Sequence, residues 1–261
     1  MAPLYRSTII LLGLLIIVAC TPAETQPPQP TPARLIVSHS PSLRNLSSWL
    51  NYCAQTLPDL ALFIDESPGF NLKMDQANLF LWLGEPPVVA GFSAPLGWDE
   101  IVIIVNPANP LQVLNSAAIT SLYSGQISNW EQLGEEPLEI NLWTFPQGND
   151  IYKVFASVFL QGKPVTSFSH VAPTPTAMLQ AVAEDEGAVG FLPKSWLSEG
   201  VTTIPVSYVK RDAMRLPLLA LAKSEPSGIA RNFLACLQSE KGQESIPEHY
   251  QPWNSSSLGE P

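Results

Sequence analysis

Positive charge, histidine and cysteine are all scarce in this chain of 261 residues. Lysine and arginine number 13 against 23 acidic residues, a formal charge of −10. So acidic a chain carries no electrostatic footprint for nucleic acid or for an anionic membrane surface, and neither is expected as a partner. Nor would its bulk field draw in an anionic ligand, so an anion site must work through local dipoles and hydroxyls. The three histidines, His39, His170 and His249, stand apart, without metal spacing such as His-x-x-x-His. Absent too are Cys-x-x-Cys, Gly-x-Ser-x-Gly and Gly-x-x-x-x-Gly-Lys. These absences leave no catalytic set, no metal ligands and no cofactor to expect, so the chain does not read as an enzyme.

A long apolar run is also missing. The longest, Ile9–Ala19, has eleven residues and follows a single positive residue, Arg6. A spanning helix needs roughly 20 residues, so this run fits the apolar core of a signal peptide instead. Its end, Ile17-Val18-Ala19-Cys20, resembles the bacterial lipobox. That resemblance implies cleavage after residue 19 and lipidation of Cys20. Acyl chains on Cys20 would tether the domain to a bacterial membrane on its periplasmic or cell-surface side, each buried CH₂ adding about 0.8 kcal/mol. Residues 21–33, TPAETQPPQPTPA, hold five prolines and no bulky apolar residue. They read as an extended linker between lipid and domain.

Two cysteines then remain, Cys53 and Cys236. In an oxidising compartment they either pair or stay as buried free thiols, and the spacing alone does not choose. Residues 34–250 are left for folding, enough for one large or two small lobes.

Along that stretch strands alternate with helices. Leu35-Ile36-Val37 is a strand, bounded by Ser38-His39-Ser40-Pro41-Ser42. Leu43, Leu46, Leu50 and Cys53 recur at helical spacing up to Pro58. Further strands are expected at 61–64, 78–83, 101–105, 140–143, 187–192, 201–206 and 216–222, and helices at 116–123, 149–160, 174–183 and 229–238. The order is that of an α/β protein with mainly parallel sheets.

Three stretches carry a resemblance. Residues 101–134, IVIIVNPANPLQVLNSAAITSLYSGQISNWEQLG, hold a strand, Val-Asn-Pro, a helix, and Tyr123-Ser124-Gly125-Gln126-Ile127-Ser128-Asn129-Trp130. Residues 184–193 read EDEGAVGFLP, and residues 216–243 read LPLLALAKSEPSGIARNFLACLQSEKGQ. Together they resemble the phosphate-type substrate-binding proteins of ABC importers, a branch of the type 2 periplasmic-binding-protein superfamily. The resemblance covers about residues 35–245 and speaks more to scaffold than to ligand.

That resemblance implies two lobes, each a mixed, mainly parallel sheet flanked by helices, joined by two hinge crossings. Residues 34–108 and 209–250 would form lobe one and residues 109–208 lobe two, after a signal peptide (1–19) and a lipidated linker (20–33), with a tail at 251–261. Pro107 and Pro110 would lie near the first crossing, and Pro205 to Met214 near the second. Trp130 and Ser124-Gly125 would pack and turn in lobe two. The chain would be a monomer, binding a small solute, phosphate or another oxyanion first, and docking on ABC permease subunits.

In the family, oxyanions sit on hydroxyls and N–H groups at helix starts. By position, Ser38, Ser40 and Ser42 match its first ligand loop. Gly148, Asn149 and Asp150, with Thr144 and Gln147 upstream, match its Ser-Gly-Thr phrase, while Glu85 stands where the family has Ser-Arg-Pro or Ser-Asp-Ala-Pro. Thr174 and Thr176, before a later helix, complete the set. The match departs from the family: no arginine lies in the loop before Asp150, and two carboxylates face the site. Asp150 would repel a dianion unless it accepts a proton from it, and Glu85 could accept a hydrogen bond from a protonated oxyanion but would reject a fully deprotonated one. Trp82, Trp143 and Phe145 are available as an apolar cleft wall for a different solute. A sensor or protein-interaction lipoprotein on the same scaffold is the alternative, favoured by a closed or filled cleft.

Overall fold

The computed structural model describes residues 31–67, 73–86, 89–207 and 211–253. The described residues from Pro32 to Trp253 belong to one compact unit. The signal segment, Cys20, most of the linker and the last residues of the tail lie outside the described residues.

The first half opens with β1 (Ala33–His39). Pro41 then forces a 3-10 turn over Pro41–Leu46 before α1 (Ser47–Gln55) begins. Proline suits the first helical position, where its missing N–H is not needed. The expected single helix from Leu43 is therefore two pieces. Strands β2 (Leu60–Glu66) and β3 (Leu79–Leu83) pair with β1, both parallel.

β4 runs from Phe92 to Val105 and is far longer than the expected 101–105. Pro95 and Gly97 hid its first half, since both are depleted in strands. The register across β4 shifts between Leu218 and Leu219, which leaves Leu96 as the bulged residue. β4 changes partners along its length. Up to Glu100 it pairs with β11 (Arg215–Ala222), and from Ile101 it pairs with β8 (Ala188–Pro193). The change comes before the asparagine–proline segment where the sequence reading placed the crossing.

Beyond it come β5 (Leu114–Asn115) and α2 (Ser116–Tyr123). β6 (Asn141–Thr144) leads to α3 (Asp150–Phe155), which continues as a π turn through Leu160. β7 (His170–Val171) and α4 (Pro175–Ala183) precede β8. β9 (Thr202–Ile204) pairs with β4, and β10 (Val206–Ser207) pairs with β5. After β11 come α5 (Gly228–Gln238), α6 (Glu240–Glu244) and β12 (Gln251–Pro252).

The main strand order is β2-β1-β3-β11-β4-β8-β6-β7. β2, β1 and β3 run parallel, as do β8, β6 and β7, while β11 and β4 run antiparallel to their neighbours at the centre. The fold is therefore α/β with two mixed half-sheets, as expected, and β4 belongs to both.

Each half has its own reason to hold. In the first, α1 and α5 pack on one another and are joined by a disulfide between Cys53 and Cys236, Cα–Cα 5.8 Å. Of the two readings left open by sequence, the structure has the bonded one. In the second, Tyr123, Phe145, Phe155 and Phe191 form an aromatic cluster. Phe155 stacks on Phe191 with centroids 3.7 Å apart, and Tyr123 meets both edge-on. Such pairs add about 0.5–1.5 kcal/mol each beyond area burial.

The Ser-Gly…Asn-Trp phrase is structural. Gly125 takes φ +77°, and a Cβ there would stand 2.9 Å from Thr166 Oγ1. Trp130 is buried and donates to the carbonyl of Gly187 over 3.3 Å. Asn129 and Gln132 form a capping box around its turn.

Candidate functional site

The serine loop leaves β1 at the edge where the two halves meet. β1 is buried from Val37 onward, so Ser38, His39 and Ser40 are buried with it. Pro41 then turns the chain so that the Ser40 and Ser42 side chains share one side. Across from them, Asn149 caps α3 by accepting from the N–H groups of Ile151 and Tyr152 at 2.8 and 3.3 Å. The cap places Asp150 at the first helical position, and Phe155 anchors the helix five residues later in the aromatic core. α3 is also the helix of the second half that packs against β3 of the first.

The two elements converge on one carboxylate. Ser40 Oγ donates to Asp150 Oδ2 over 2.6 Å, and Ser42 Oγ donates to Asp150 Oδ1 over 2.7 Å. The Ile151 N–H also reaches Oδ1, at 3.0 Å. Asp150 is only 2% exposed. Burial raises its pKa above the ordinary aspartate value, while the two serines and the local amides oppose that rise. Its partners are hydroxyls and an amide, with no cation among them.

Further bonds join the same loop to the turn that follows β8. Trp196 Nε1 donates to the Ser42 carbonyl over 2.7 Å. Asn45 Nδ2 donates to the Ser195 carbonyl and hydroxyl at 3.2 and 3.1 Å, and its Oδ1 accepts from Tyr250 at 3.0 Å. Just behind lies Asp99, whose Oδ1 accepts from the N–H groups of Glu100 and Ser195, while its buried Oδ2 has no partner. Burial pushes Asp99 up to about 6.

Of the sequence-derived residues, Ser40, Ser42, Asn149 and Asp150 come together. Ser38 does not join them; its hydroxyl points toward Asp65 at 3.4 Å. Thr144 is buried, with its hydroxyl 3.3 Å from the Phe145 carbonyl. Gly148 is half-buried and Gln147 exposed on the loop before the cap. Thr174 caps α4 through the Ala177 N–H at 3.2 Å, and Thr176 is exposed on that helix. Glu85 is exposed and borders a cavity of about 370 Å³ between β3, α3 and the start of β11. Lys153 and Arg215 line the same cavity, and Lys153 stands 6.0 Å over the Trp82 ring. Trp82 and Phe145 are core residues, 1% exposed each, and Trp143 tilts against His170 at 4.9 Å.

Sequence reasoning missed Asn45, Asp99, Lys153, Ser195, Trp196, Arg215 and Tyr250. No motif marks them; Asn45 and Lys153 lie one turn beyond Ser42 and Asp150 on the same elements, while Asp99, Ser195, Trp196 and Arg215 come near through the pairing of β4 with β8 and β11. Among the described residues no cluster of histidine, cysteine and carboxylate could hold a metal ion. In those residues no helix is long and apolar enough to cross a membrane.

Chemically, the arrangement gathers two hydroxyls from one half around a carboxyl group that sits on a helix of the other.

The model of a family described as bacterial extracellular solute-binding protein matches residues 82–249. The phosphate-binding protein PstS of Bacillus subtilis is 28% identical over 153 residues, which are 54% of this chain and 50% of that protein. The chain thus spans about half the length of that curated relative. Among solved structures, a candidate phosphate ABC transporter substrate-binding protein from Clostridium perfringens, with phosphate bound, superposes with a TM-score of 0.74. It is 20% identical, and the match covers 84% of this chain and 99% of the other. An ABC-type phosphate transport receptor from Vibrio cholerae gives a TM-score of 0.64 at 20% identity, covering 80% and 96%. At those identities the likeness is one of fold.

Proposed function

The chain belongs to the bacterial extracellular solute-binding proteins, and from that premise we propose that it captures a small oxyanion, phosphate first, for an ABC importer. The observation that carries this reading is the point where Ser40 and Ser42 meet α3. Donors from the first half surround an anionic pair of oxygens seated on the second, which is the arrangement a two-lobed oxyanion receptor needs. Residues 34–108 and 209–250 would move as one lobe and 109–208 as the other, closing by hinge motion at β4 and at the return into β11. Gly148 and Asn149 would border the ligand. Glu85, Lys153 and Arg215 would meet solute at the cleft mouth. Ser38, Thr144, Gln147, Thr174 and Thr176 would be supporting rather than contacting residues.

The work is binding, closure and docking on permease subunits by a monomer, with no covalent chemistry. Lipid on Cys20 would hold the receptor on the extracytoplasmic face, with the proline-rich linker as tether. Cys20→Ser should abolish membrane association; unchanged association would refute the anchor.

Thermal unfolding of the full chain against phosphate, sulfate, molybdate, amino acids and organic acids tests the function. Ligand at 100 times its dissociation constant stabilises by about 2.7 kcal/mol. For this size that raises the midpoint by roughly 5–10 °C. A shift with phosphate supports the proposal, and a shift with another solute keeps the receptor while replacing its cargo. No shift with any solute would favour the alternative of an interaction or sensor domain, to which the already occupied anion point lends its one support.

A further inference from the structure

The acceptor at the centre of the site is the protein's own carboxyl group. A serine hydroxyl carries one hydrogen, and both Ser40 and Ser42 spend theirs on Asp150. They cannot donate to a solute oxyanion at the same time. We infer that Asp150 is a tethered anion that fills the solute position and latches the two halves together until an incoming oxyanion displaces it. This rests on the solute-binding reading above and adds how that site is regulated.

Three observations bear on it. First, the contacts are made across the meeting of the halves: the serines follow β1, and Asp150 opens α3 after β6. A carboxylate in this place therefore joins what ligand would join. Second, the carboxylate is buried without a cation, held only by two hydroxyls and the Ile151 amide. A buried charge that gives up hydrogen bonds must find replacements. Rotation of one aspartate side chain toward water supplies them without unwinding α3, whose start is fixed independently by Asn149. Third, the loop bearing the serines is held from the same side by Trp196 and Asn45. Both bonds run from the serine loop to the turn after β8, so they close the same seam.

The consequence is competition. The measured affinity for solute is the intrinsic affinity reduced by the fraction of molecules with Asp150 displaced. The residue also sorts solutes: an anion that cannot make stronger bonds to Ser40 and Ser42 than a carboxylate does not displace one. A tetrahedral oxyanion with several acceptor oxygens meets that condition better than a carboxylic acid.

The test compares wild type, Asp150→Ala, Asp150→Asn and the double variant Ser40→Ala/Ser42→Ala as full chains, with folding checked by circular dichroism. Small-angle scattering reads the radius of gyration without ligand, and calorimetry reads binding of inorganic phosphate. The latch predicts a larger radius for Asp150→Ala and for the double serine variant. It also predicts phosphate binding about tenfold tighter or more in Asp150→Ala, the equivalent of losing one hydrogen-bonded charged competitor. Asp150→Asn, of the same shape but uncharged, falls between. The double serine variant opens yet binds phosphate about tenfold or more weaker than wild type, because losing both of the ligand's donors outweighs losing the latch. Weaker phosphate binding in Asp150→Ala, or an unchanged radius in both unlatched variants, overturns the inference. Phosphate binding by none of the four would instead remove phosphate as the solute, and the radius alone would then decide the latch.

Discussion

Trp196 Nε1 donates to the carbonyl of Ser42 over 2.7 Å, tying the turn after β8 to the loop before α1. The bond lies beside the Ser40–Asp150 contact and closes the same seam from a second element. Trp196→Phe keeps a six-membered aromatic ring and removes the indole N–H together with its five-membered ring, so the loss of the hydrogen bond sets a lower bound on the cost. A typical intramolecular hydrogen bond contributes about 1 kcal/mol net. We therefore expect a loss of at least about 1 kcal/mol in urea unfolding, with the midpoint moving and the slope unchanged.

The disulfide closes a loop of 183 residues between α1 and α5. Loop-entropy reasoning gives about 5 kcal/mol for a loop that long, while native bridges more often contribute about 2–4 kcal/mol. Cys236→Ser should cost stability in that range and leave solute affinity nearly unchanged, because the bridge lies within the first half. Guanidinium unfolding of wild type and variant reads the first, and calorimetry the second.

Asp99 should give the protein an unusual pH response. Its folded pKa is raised to about 6 by burial, above an unfolded value of about 3.9. Between those values the folded state binds more protons than the unfolded, so this residue makes stability fall as pH rises. Its contribution is most favourable below pH 4 and is lost by about pH 7. Two units correspond to about 3 kcal/mol. Asp99→Asn should flatten the stability profile between pH 4 and 7 and stabilise the protein at pH 7. A steeper rise toward acid in the variant would contradict the assignment. The Arg44–Glu66 pair works the other way: its hydrogen bonds lower Glu66, so that stabilisation fades on acidification.

Phe155 stacks on Phe191 while standing one turn and a half beyond Asp150 on α3. Phe155→Ala should destabilise by about 3–5 kcal/mol, in the range for truncating a buried aromatic. Because α3 carries Asp150, the same change should also weaken the closed seam, seen as faster amide exchange at Ile151 and Tyr152.

Much of this fold was legible in sequence because its elements obey local rules. α2 begins and ends where its apolar spacing does, and β8 follows the Gly-Ala-Val-Gly-Phe run. Gly190 is there for a packing reason: a Cβ would stand 2.5 Å from Met178 Sδ. The first half of β4 was not legible, since Pro95 and Gly97 break the pattern and only the bulge opposite Leu218–Leu219 accommodates them. The site was legible in part. Ser40, Ser42, Asn149 and Asp150 were singled out by the resemblance, and the structure brings them together. What sequence could not supply was that Asp150 already bonds both serines, a contact across 110 and 108 positions. Trp196 likewise reaches the site only through the sheet, from the turn after β8.

The most direct test is calorimetric titration of the full chain with phosphate, against the double variant Ser40→Ala/Ser42→Ala. The account predicts saturable one-to-one binding by wild type and a loss of affinity of about tenfold or more when both hydroxyl donors are removed. Equal binding by the two proteins would contradict it, because the solute would then be held somewhere other than the seam between Ser40, Ser42 and α3.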